Sequence, residues 1–317
     1  MRPCRGAGTR GTATAGFRTR DNTKRPASKN PLVASLADTV AELADDRSHG
    51  GSWMARRAVE ALLGVVEEPV ETTEDFLERL RDAGRELAAA RPAMGAIAHA
   101  VGRLVASAHT ASHLAVDDLR RLVSEEANGL LGARDRAAAS IAVHLAPLLP
   151  DALVLTHSAS ATVREAVVHT PPARVYCTVS APFEEGRAFA EDLRKEGLDV
   201  ELVPDDEIER AFDACSLFLV GADTVYADGS VKNKIGTRRL AEIAESLGVR
   251  TLVACELLKL TPEPPPAEED EPDLRDTTPP ELVDAIVTEE GQVAPHDVRA
   301  LIERTPFLRD GHRLVAT

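Results

Sequence analysis

Long apolar runs are missing from this sequence. No stretch approaches the ~20 consecutive apolar residues that a membrane-spanning helix requires, and the basic N-terminus lacks the apolar core of a secretory signal. The expectation is a cytoplasmic protein with no membrane partner. Cysteine is equally sparse: Cys4, Cys177, Cys215 and Cys255 stand far apart, with no C-x-x-C pair and no Cys/His cluster at metal-ligand spacing. That pattern predicts reduced, mostly buried thiols and no bound metal. No G-x-G-x-x-G turn follows the first predicted strand, so a dinucleotide fingerprint is absent and no cofactor is expected. Lysine and aromatics are also in short supply, with six Lys against 31 Arg and 3% Phe, Trp and Tyr. Together with abundant Ala, this is the composition of a GC-rich, salt-adapted (halophilic) organism.

Charge is present in excess, and unevenly. The 317 residues carry a formal charge of −15. Residues 1–31 hold eight Arg and Lys against the single Asp21, which leaves 29 basic and 51 acidic residues for the remainder. A body this acidic offers no basic face, so direct nucleic-acid binding is not expected. Residues 1–31 are rich in Gly, Thr, Arg and Pro without periodicity and read as a disordered basic tail; a nucleic-acid-binding arm, a flexible tail and a misassigned start codon all fit.

From residue 32 to 149 the apolar spacing is helical. Leu32, Leu36, Val40 and Leu43 mark one helix, Met54, Ala58, Ala61, Leu62 and Val65 another, and Phe76, Leu80, Ala83 and Leu87 a third that Thr72 or Thr73 caps. A further helix runs through Met94, Ile97, Val101 and Leu104. A long last helix, Asp118 to Leu149, is open to interruption near Gly129 and Gly132. His109 and His113 stand four apart, a metal-compatible spacing, but Asp117 is the one nearby carboxylate in register, so a solvated helix end is the expected reading and no metal site is predicted there. Over residues 150–317 strands and helices alternate, which predicts a mostly parallel sheet covered on both faces. The segment 261–280 is loaded with Pro, Glu and Asp and reads as an acidic surface excursion, a poor place for a phosphate site. The fold class is α/β: an N-terminal helical domain followed by a Rossmann-like, mostly parallel α/β domain.

The stretch Leu217–Thr237 organises the second half. An apolar strand, Leu217 to Val220, breaks at Gly221-Ala222-Asp223, which puts a carboxylate at a strand's carboxyl end, where open α/β sheets bind ligands. Asp228-Gly229 makes a hairpin turn, and Asn233-Lys234 leads into a helix that Thr237 caps. At the first strand-to-helix turn, Thr156-His157-Ser158-Ala159-Ser160, hydroxyls and backbone N–H groups form an anion site; Ser158 and Ser160 either hold a phosphate or cap the helix. His157 either donates a hydrogen bond to a ligand or is a buried structural histidine. A Ser-His-Asp hydrolase is a third reading, weakened by the missing G-x-S-x-G elbow. Asp223, Asn233 and Lys234 likewise have two readings, as contacts to sugar hydroxyls and phosphate or as groups that order their own loop.

These motifs carry a resemblance. GAD...ADGSVKNKIGT, with LTHSAS (155–160), PFEEGR (182–187), CELLKL (255–260) and VTEEGQVAPHDV (287–298), closely resembles the family of the alpha, beta and delta subunits of translation initiation factor 2B. That family also holds methylthioribose-1-phosphate isomerase and ribose-1,5-bisphosphate isomerase. The resemblance implies homodimerisation through the α/β domain, possible higher assembly, and a ligand site between the domains, to which Arg91 is added by likeness to the family's Arg-Pro segment. It also exposes three departures from the isomerases. Their cysteine after the Thr-His pair, which works with the Asp of GAD to move a proton, is Ser158 here, and a hydroxyl is a far poorer acid or base than a tunable thiol. Their Arg-Pro before the PFEEGR helix is Ala181-Pro182. Their sugar-phosphate triplet is matched by His49-Gly50-Gly51-Ser52, which has no arginine, and the similar Arg5-Gly6-Ala7 is in the wrong place.

Two functions follow as expectations. The first is an archaeal-type initiation factor 2B-like regulatory protein that binds a sugar phosphate or nucleotide, contacts initiation factor 2 or another protein, and carries out no chemistry; segments resembling the exchange-catalysing subunits are not found. The second is a sugar-phosphate aldose-ketose isomerase of the ribose-1,5-bisphosphate type, with Asp223 as proton carrier. A structural paralogue that assembles with an active relative is a third. Cys255 resembles a strand-end position of the regulatory subunits and reads as a core thiol.

Overall fold

The computed structural model describes residues 35–47, 49–268 and 271–315. The basic tail and its Arg5-Gly6-Ala7 triplet lie outside them. Five helices come first: α1 (Leu36–Asp45), α2 (Gly51–Val66), α3 (Thr73–Ala90), α4 (Gly95–Thr110) and α5 (Val116–Leu145). Capping boxes start α1 and α3. The Ser35 and Thr72 hydroxyls each accept from the third backbone N–H of their helix, while Asp38 and Asp75 accept from the cap N–H in return, satisfying donors the helix cannot. Most of the apolar spacings read from the sequence are buried faces: Met54, Leu62, Ile97, Val101 and Leu104 are fully buried, whereas in α1 only Leu43 is, Leu36 and Val40 are half-buried, and Leu32 lies outside the described residues.

α5 runs unbroken through Gly129 and Gly132. Each glycine costs a helix ~1 kcal/mol, which the burial of Leu119, Val123, Ala127 and Leu130 along one face offsets. The far end of α5 serves a different core, because Ile141, Ala142 and Leu145 pack on the sheet. His113 lies beyond the end of α4, so it and His109 do not share a helical turn. Among the described residues no group of three or more metal-binding side chains occurs, and no helix is long and apolar enough to cross a membrane.

The sheet has seven strands in the order β10-β9-β7-β4-β1-β2-β3. β1 (Leu153–Thr156), β2 (Arg174–Thr178), β3 (Val200–Val203), β4 (Leu217–Val220), β7 (Arg250–Ala254) and β9 (Ala285–Thr288) are parallel, and β10 (Gly291–Val293) closes one edge antiparallel to β9. Strand alternation sends Leu155, Phe218, Val253 and Ile286 into one core and Val154, Val175, Leu219, Leu252 and Val287 into the other, as a doubly covered parallel sheet requires. The covering helices are α6 (Ala161–His169), α7 (Glu185–Lys195), α8 (Ile208–Phe212), α9 (Thr237–Leu247) and α10 (Val298–Glu303). The connections run outward from β1 in opposite directions, so the topological switch point lies between β1 and β4.

A second, three-stranded sheet rises from the end of β4: β5 (Thr224–Val225), β6 (Val231–Lys234) and β8 (Arg275–Thr278). The Asp228-Gly229 turn closes its hairpin, with Gly229 at φ +87°. Two expectations change here. The segment 261–280 is not only a surface excursion, because β8 pairs antiparallel with β6, Lys234 opposite Arg275, and satisfies backbone groups that β6 would otherwise leave open at an edge. Thr237 does not cap α9; Gly236, at φ +100°, is the cap residue, and the Thr237 hydroxyl donates to the Lys234 carbonyl at 2.6 Å.

The last described residues return to the helices. Residues 307–311 and α11 (His312–Val315) pack on α3 and α4, where the Gly102 and Gly311 backbones touch; a Cβ on Gly102 would lie 2.5 Å from the Gly311 carbonyl oxygen. Gly102→Ala is expected to destabilise the protein by ~1–3 kcal/mol through overpacking, seen as a lower urea midpoint. Beside this seam, His99 is fully buried and its Nδ1 donates to the Leu258 carbonyl at 2.8 Å. Burial, with His312 nearby, lowers its pKa from 6.5 to about 4. The unfolded chain therefore takes up this proton first, so the stabilisation is present above pH 6.5 and is lost as pH falls toward 4, on the order of 3 kcal/mol in all. Urea titrations at both ends of that window should show a smaller acid loss for His99→Asn than for the parent.

Candidate functional site

A cleft of about 350 Å³ opens at the carboxyl ends of β1 and β4, beside the switch point, between the hairpin sheet and the start of α2. It gathers Ser158, Ser160, Asp223, Asn233 and Lys234, separated by up to 76 positions in sequence, and adds Arg47, His49, Phe183, Glu185 and Arg275. Three non-glycine residues around it, Ser158, Ser180 and Glu184, have left-handed φ of +64°, +66° and +55°, a conformation held only where surrounding contacts fix it.

The β1–α6 turn is locked by a chain of hydrogen bonds. The Ser158 N–H donates to Ser180 Oγ at 2.8 Å, and Ser180 Oγ lies 2.7 Å from Thr178 Oγ1. His157 Nε2 donates to the Ile235 carbonyl at 2.8 Å, so Nδ1 is the acceptor and takes the Thr178 hydroxyl at 2.6 Å. Burial lowers the His157 pKa. The imidazole is neutral and both nitrogens are committed to the protein, so it positions the turn. Ser160 caps α6, accepting from the Val163 N–H at 3.3 Å, and still lines the cleft. Gly221 makes room for it, since a Cβ there would come within 2.5 Å of Ser160 Oγ.

Glu185 is the residue that the sequence reading missed. Its carboxylate accepts from the Ser158 hydroxyl at 2.6 Å and from Lys234 Nζ at 2.9 and 3.0 Å. Gly186 fixes it there: a Cβ at that position would sit 1.8 Å from the Thr178 carbonyl oxygen, so only glycine lets the start of α7 press onto the end of β2. The signal was the PFEEGR motif, whose second Glu is the first residue of α7. Lys234 is 8% exposed and its Nζ stands 5.0 Å from the centre of the Phe183 ring, a cation–π contact. Asn233 donates to Thr237 Oγ1 at 3.2 Å.

Across the cleft, Asp223 accepts from Arg275 Nε at 2.7 Å. Arg275 also bonds Glu271, which accepts from Arg91 at 2.9 and 3.1 Å, and Arg91 bonds the Asp46 carbonyl in turn. Arg91, 3% exposed, thus stands behind the cleft and braces both Arg275 and the approach to α2. Arg47, two residues before His49-Gly50-Gly51-Ser52, lines the cleft and donates to the Ala44 and Asp46 carbonyls at 2.7 and 2.9 Å. Among the described residues no side chain caps α2; its cap residue Gly50 and the α6 cap residue Ser160 both line the cleft, so both helices begin there with the positive ends of their dipoles. No thiol lines it. Burial pushes the Cys177 and Cys215 thiols up to about 12 and Cys255 higher still, which makes all three core thiols. Two helix starts with cations on both sides, facing Glu185 and Asp223, suit a ligand that combines an anion with hydroxyl groups.

Comparison with known proteins agrees with this architecture. The sequence model described as the Initiation factor 2 subunit family matches residues 47–277. Ribose 1,5-bisphosphate isomerase of Haloferax volcanii is 30% identical over 294 residues, 83% of this chain and 90% of that protein. Methylthioribose-1-phosphate isomerase of Syntrophotalea carbinolica is 28% identical over 282 residues, 76% and 82% of the two chains. The crystal structure of translation initiation factor eIF-2B from Pyrococcus horikoshii OT3 superposes with a TM-score of 0.71 at 26% identity, covering 82% of this chain and 97% of that one. With a helical N-terminal half on a Rossmann-like sheet, and residues of the THSAS, PFEEGR, GAD and NK stretches lining one cleft, this chain belongs to the initiation factor 2 subunit family, which spans initiation factor 2B-like proteins and sugar-phosphate isomerases.

Proposed function

We propose that this chain is a ligand-sensing, non-catalytic member of the family: it binds a sugar phosphate or nucleotide in the Ser158–Asp223 cleft and acts through protein contacts in translation initiation, as a homo-oligomer. The observation that carries this reading is the state of Ser158. At the position where the resemblance puts the isomerases' thiol, a hydroxyl donates its proton to Glu185, whose charge is already matched by Lys234. Shifting a proton between neighbouring carbons of an aldose needs a group that gives up and regains a proton near neutral pH, and an alcohol does not. On the other side of the cleft Asp223 is engaged by Arg275. What supports binding is the supply of positive charge, Arg47, Lys234, Arg275 and two helix starts, around a space of sugar-phosphate size.

One observation favours the second reading, an aldose-ketose isomerase. Glu185 gives the cleft a second carboxylate beside Asp223, and two carboxylates can share acid and base roles; the similarity to the Haloferax volcanii isomerase leans the same way. The test is calorimetric titration with ribose 1,5-bisphosphate, methylthioribose 1-phosphate and AMP, beside isomerase assays at high salt. The sensing reading expects saturable binding of at least one ligand, weakened ~10-fold or more by Lys234→Ala or Arg47→Ala, each removing a charged hydrogen bond worth about 1.5–3 kcal/mol. It also expects no turnover by the parent, and Ser158→Cys to leave binding nearly unchanged. Turnover by the parent that Asp223→Asn or Glu185→Gln abolishes would establish the isomerase instead; neither binding nor turnover would remove both.

A further inference from the structure

A second cavity, about 240 Å³, lies beyond the carboxyl ends of β7 and β9, enclosed by α2, α4 and α5. It contains none of the residues that line the Ser158 cleft. Its walls are apolar, formed by Ala55 and Val59 of α2, Ala100 of α4, Leu130 of α5, Leu257 and Phe307. Four charged side chains also line it. Arg56 is held by Glu60 at 3.0 Å, and Arg103 by Glu126 at 2.5 Å with its guanidinium 5.0 Å from the centre of the Phe307 ring. Glu256 accepts from Ser52 at 2.9 and 3.0 Å and from Thr162 at 3.3 Å, with Lys259 Nζ at 3.5 Å.

Glu289 differs from the other three. One carboxylate oxygen accepts the Leu257 N–H at 2.9 Å, and no Lys, Arg or His side chain among the described residues pairs with it. Its place is nevertheless rigid, because its own carbonyl accepts from Ser140 at 3.0 Å and from His144 at 3.3 Å. A carboxylate held against apolar walls without a countercharge is costly. Burial, with Glu256 and Glu290 nearby, accordingly raises its pKa. The missing element is a cation, and the space beside it is apolar and enclosed on three sides by helices.

We propose that this cavity is a second ligand site and that it takes a small organic ammonium compound, the charged head on Glu289 with Glu256 beside it, and the hydrocarbon body against Val59, Ala100, Leu130 and Phe307. The volume lies below the ~300–1,000 Å³ typical of pockets for drug-sized ligands, which sets the ligand at the size of a single substituted ring or short branched chain. Arg56 and Arg103 on the same walls are already held by Glu60 and Glu126, so Glu256 and Glu289 are left to disfavour a phosphate or carboxylate ligand, and this site and the Ser158 cleft select opposite charges. The proposal stands apart from the sensing reading.

The probe is cyclohexylamine, an ammonium at neutral pH, with cyclohexanol as its uncharged counterpart, titrated into the full chain and followed by calorimetry and saturation-transfer NMR. Saturable binding of the amine is expected, with cyclohexanol at least tenfold weaker. Glu289→Gln keeps an acceptor for the Leu257 N–H and removes the charge, and should weaken the amine tenfold or more while leaving cyclohexanol as it was. Ala100→Leu, which fills the cavity, should weaken both. Equal binding of amine and alcohol, amine binding unchanged in Glu289→Gln, or no saturable amine binding by the folded parent would each overturn the proposal.

Discussion

Arg275 divides its guanidinium between Asp223 and Glu271, and much of the molecule hangs on that division. The arginine and both carboxylates are largely withdrawn from solvent, and Arg91, more buried still, continues the chain to the Asp46 carbonyl at the approach to α2. Alternating charges of this kind gain little over a well-packed apolar interior, but removing one member strands its neighbours, at a typical cost of ~3–5 kcal/mol for a buried pair. The chain therefore acts as a registry device. It fixes the hairpin sheet against the helical half, and with it the separation between Asp223 and the start of α2 across the cleft.

The opposite wall is built on the same logic at shorter range. Glu185 receives Ser158 and Lys234, and the turn beneath it is tied through Ser180, Thr178 and His157. Each of the deeper cations of the cleft has a carboxylate partner, Lys234 with Glu185 and Arg275 with Asp223. An anionic ligand must share Lys234 with Glu185 and Arg275 with Asp223, and would rely on Arg47 and the two helix starts for additional attraction. Preorganised, neutralised walls suit recognition that depends on the hydroxyl pattern as much as on charge, because the two carboxylates are themselves hydrogen-bond acceptors.

The legible part of the fold was the part governed by periodicity. The 3.6-residue spacing in Met54–Val65 and Phe76–Leu87, the strand-and-turn alternation after Pro150, and the turn chemistry of Asp228-Gly229 are local, and local sterics decide them. At the site, the strand-end Asp223 and the β1–α6 turn were legible for the same reason. Less visible was anything that depended on which strand lies beside which. β8 sits in a segment whose Pro and acidic content reads as a loop, and its pairing is set by the open edge of β6. Arg275 and Glu185 come to the cleft from elements on opposite sides of it, so no spacing in the chain relates them. Arg47 was overlooked because attention fell on His49–Ser52, and Arg47 lines the cleft from two residues earlier.

By itself, then, the sequence determined the helical and α/β halves, the strand-end carboxylate, the absence of a thiol at Ser158, and the family, since each is a matter of residue identity or of contacts within a few positions. The tertiary structure alone decided that His157 commits both nitrogens inside the protein, that Arg91 braces the cleft from behind, that Glu185 stands against Ser158, and that Glu289 faces a largely apolar cavity with no basic side chain among the described residues paired to it. Those outcomes rest on burial and on hydrogen bonds between distant segments, and a side chain's partners are fixed only when packing has chosen which surfaces meet.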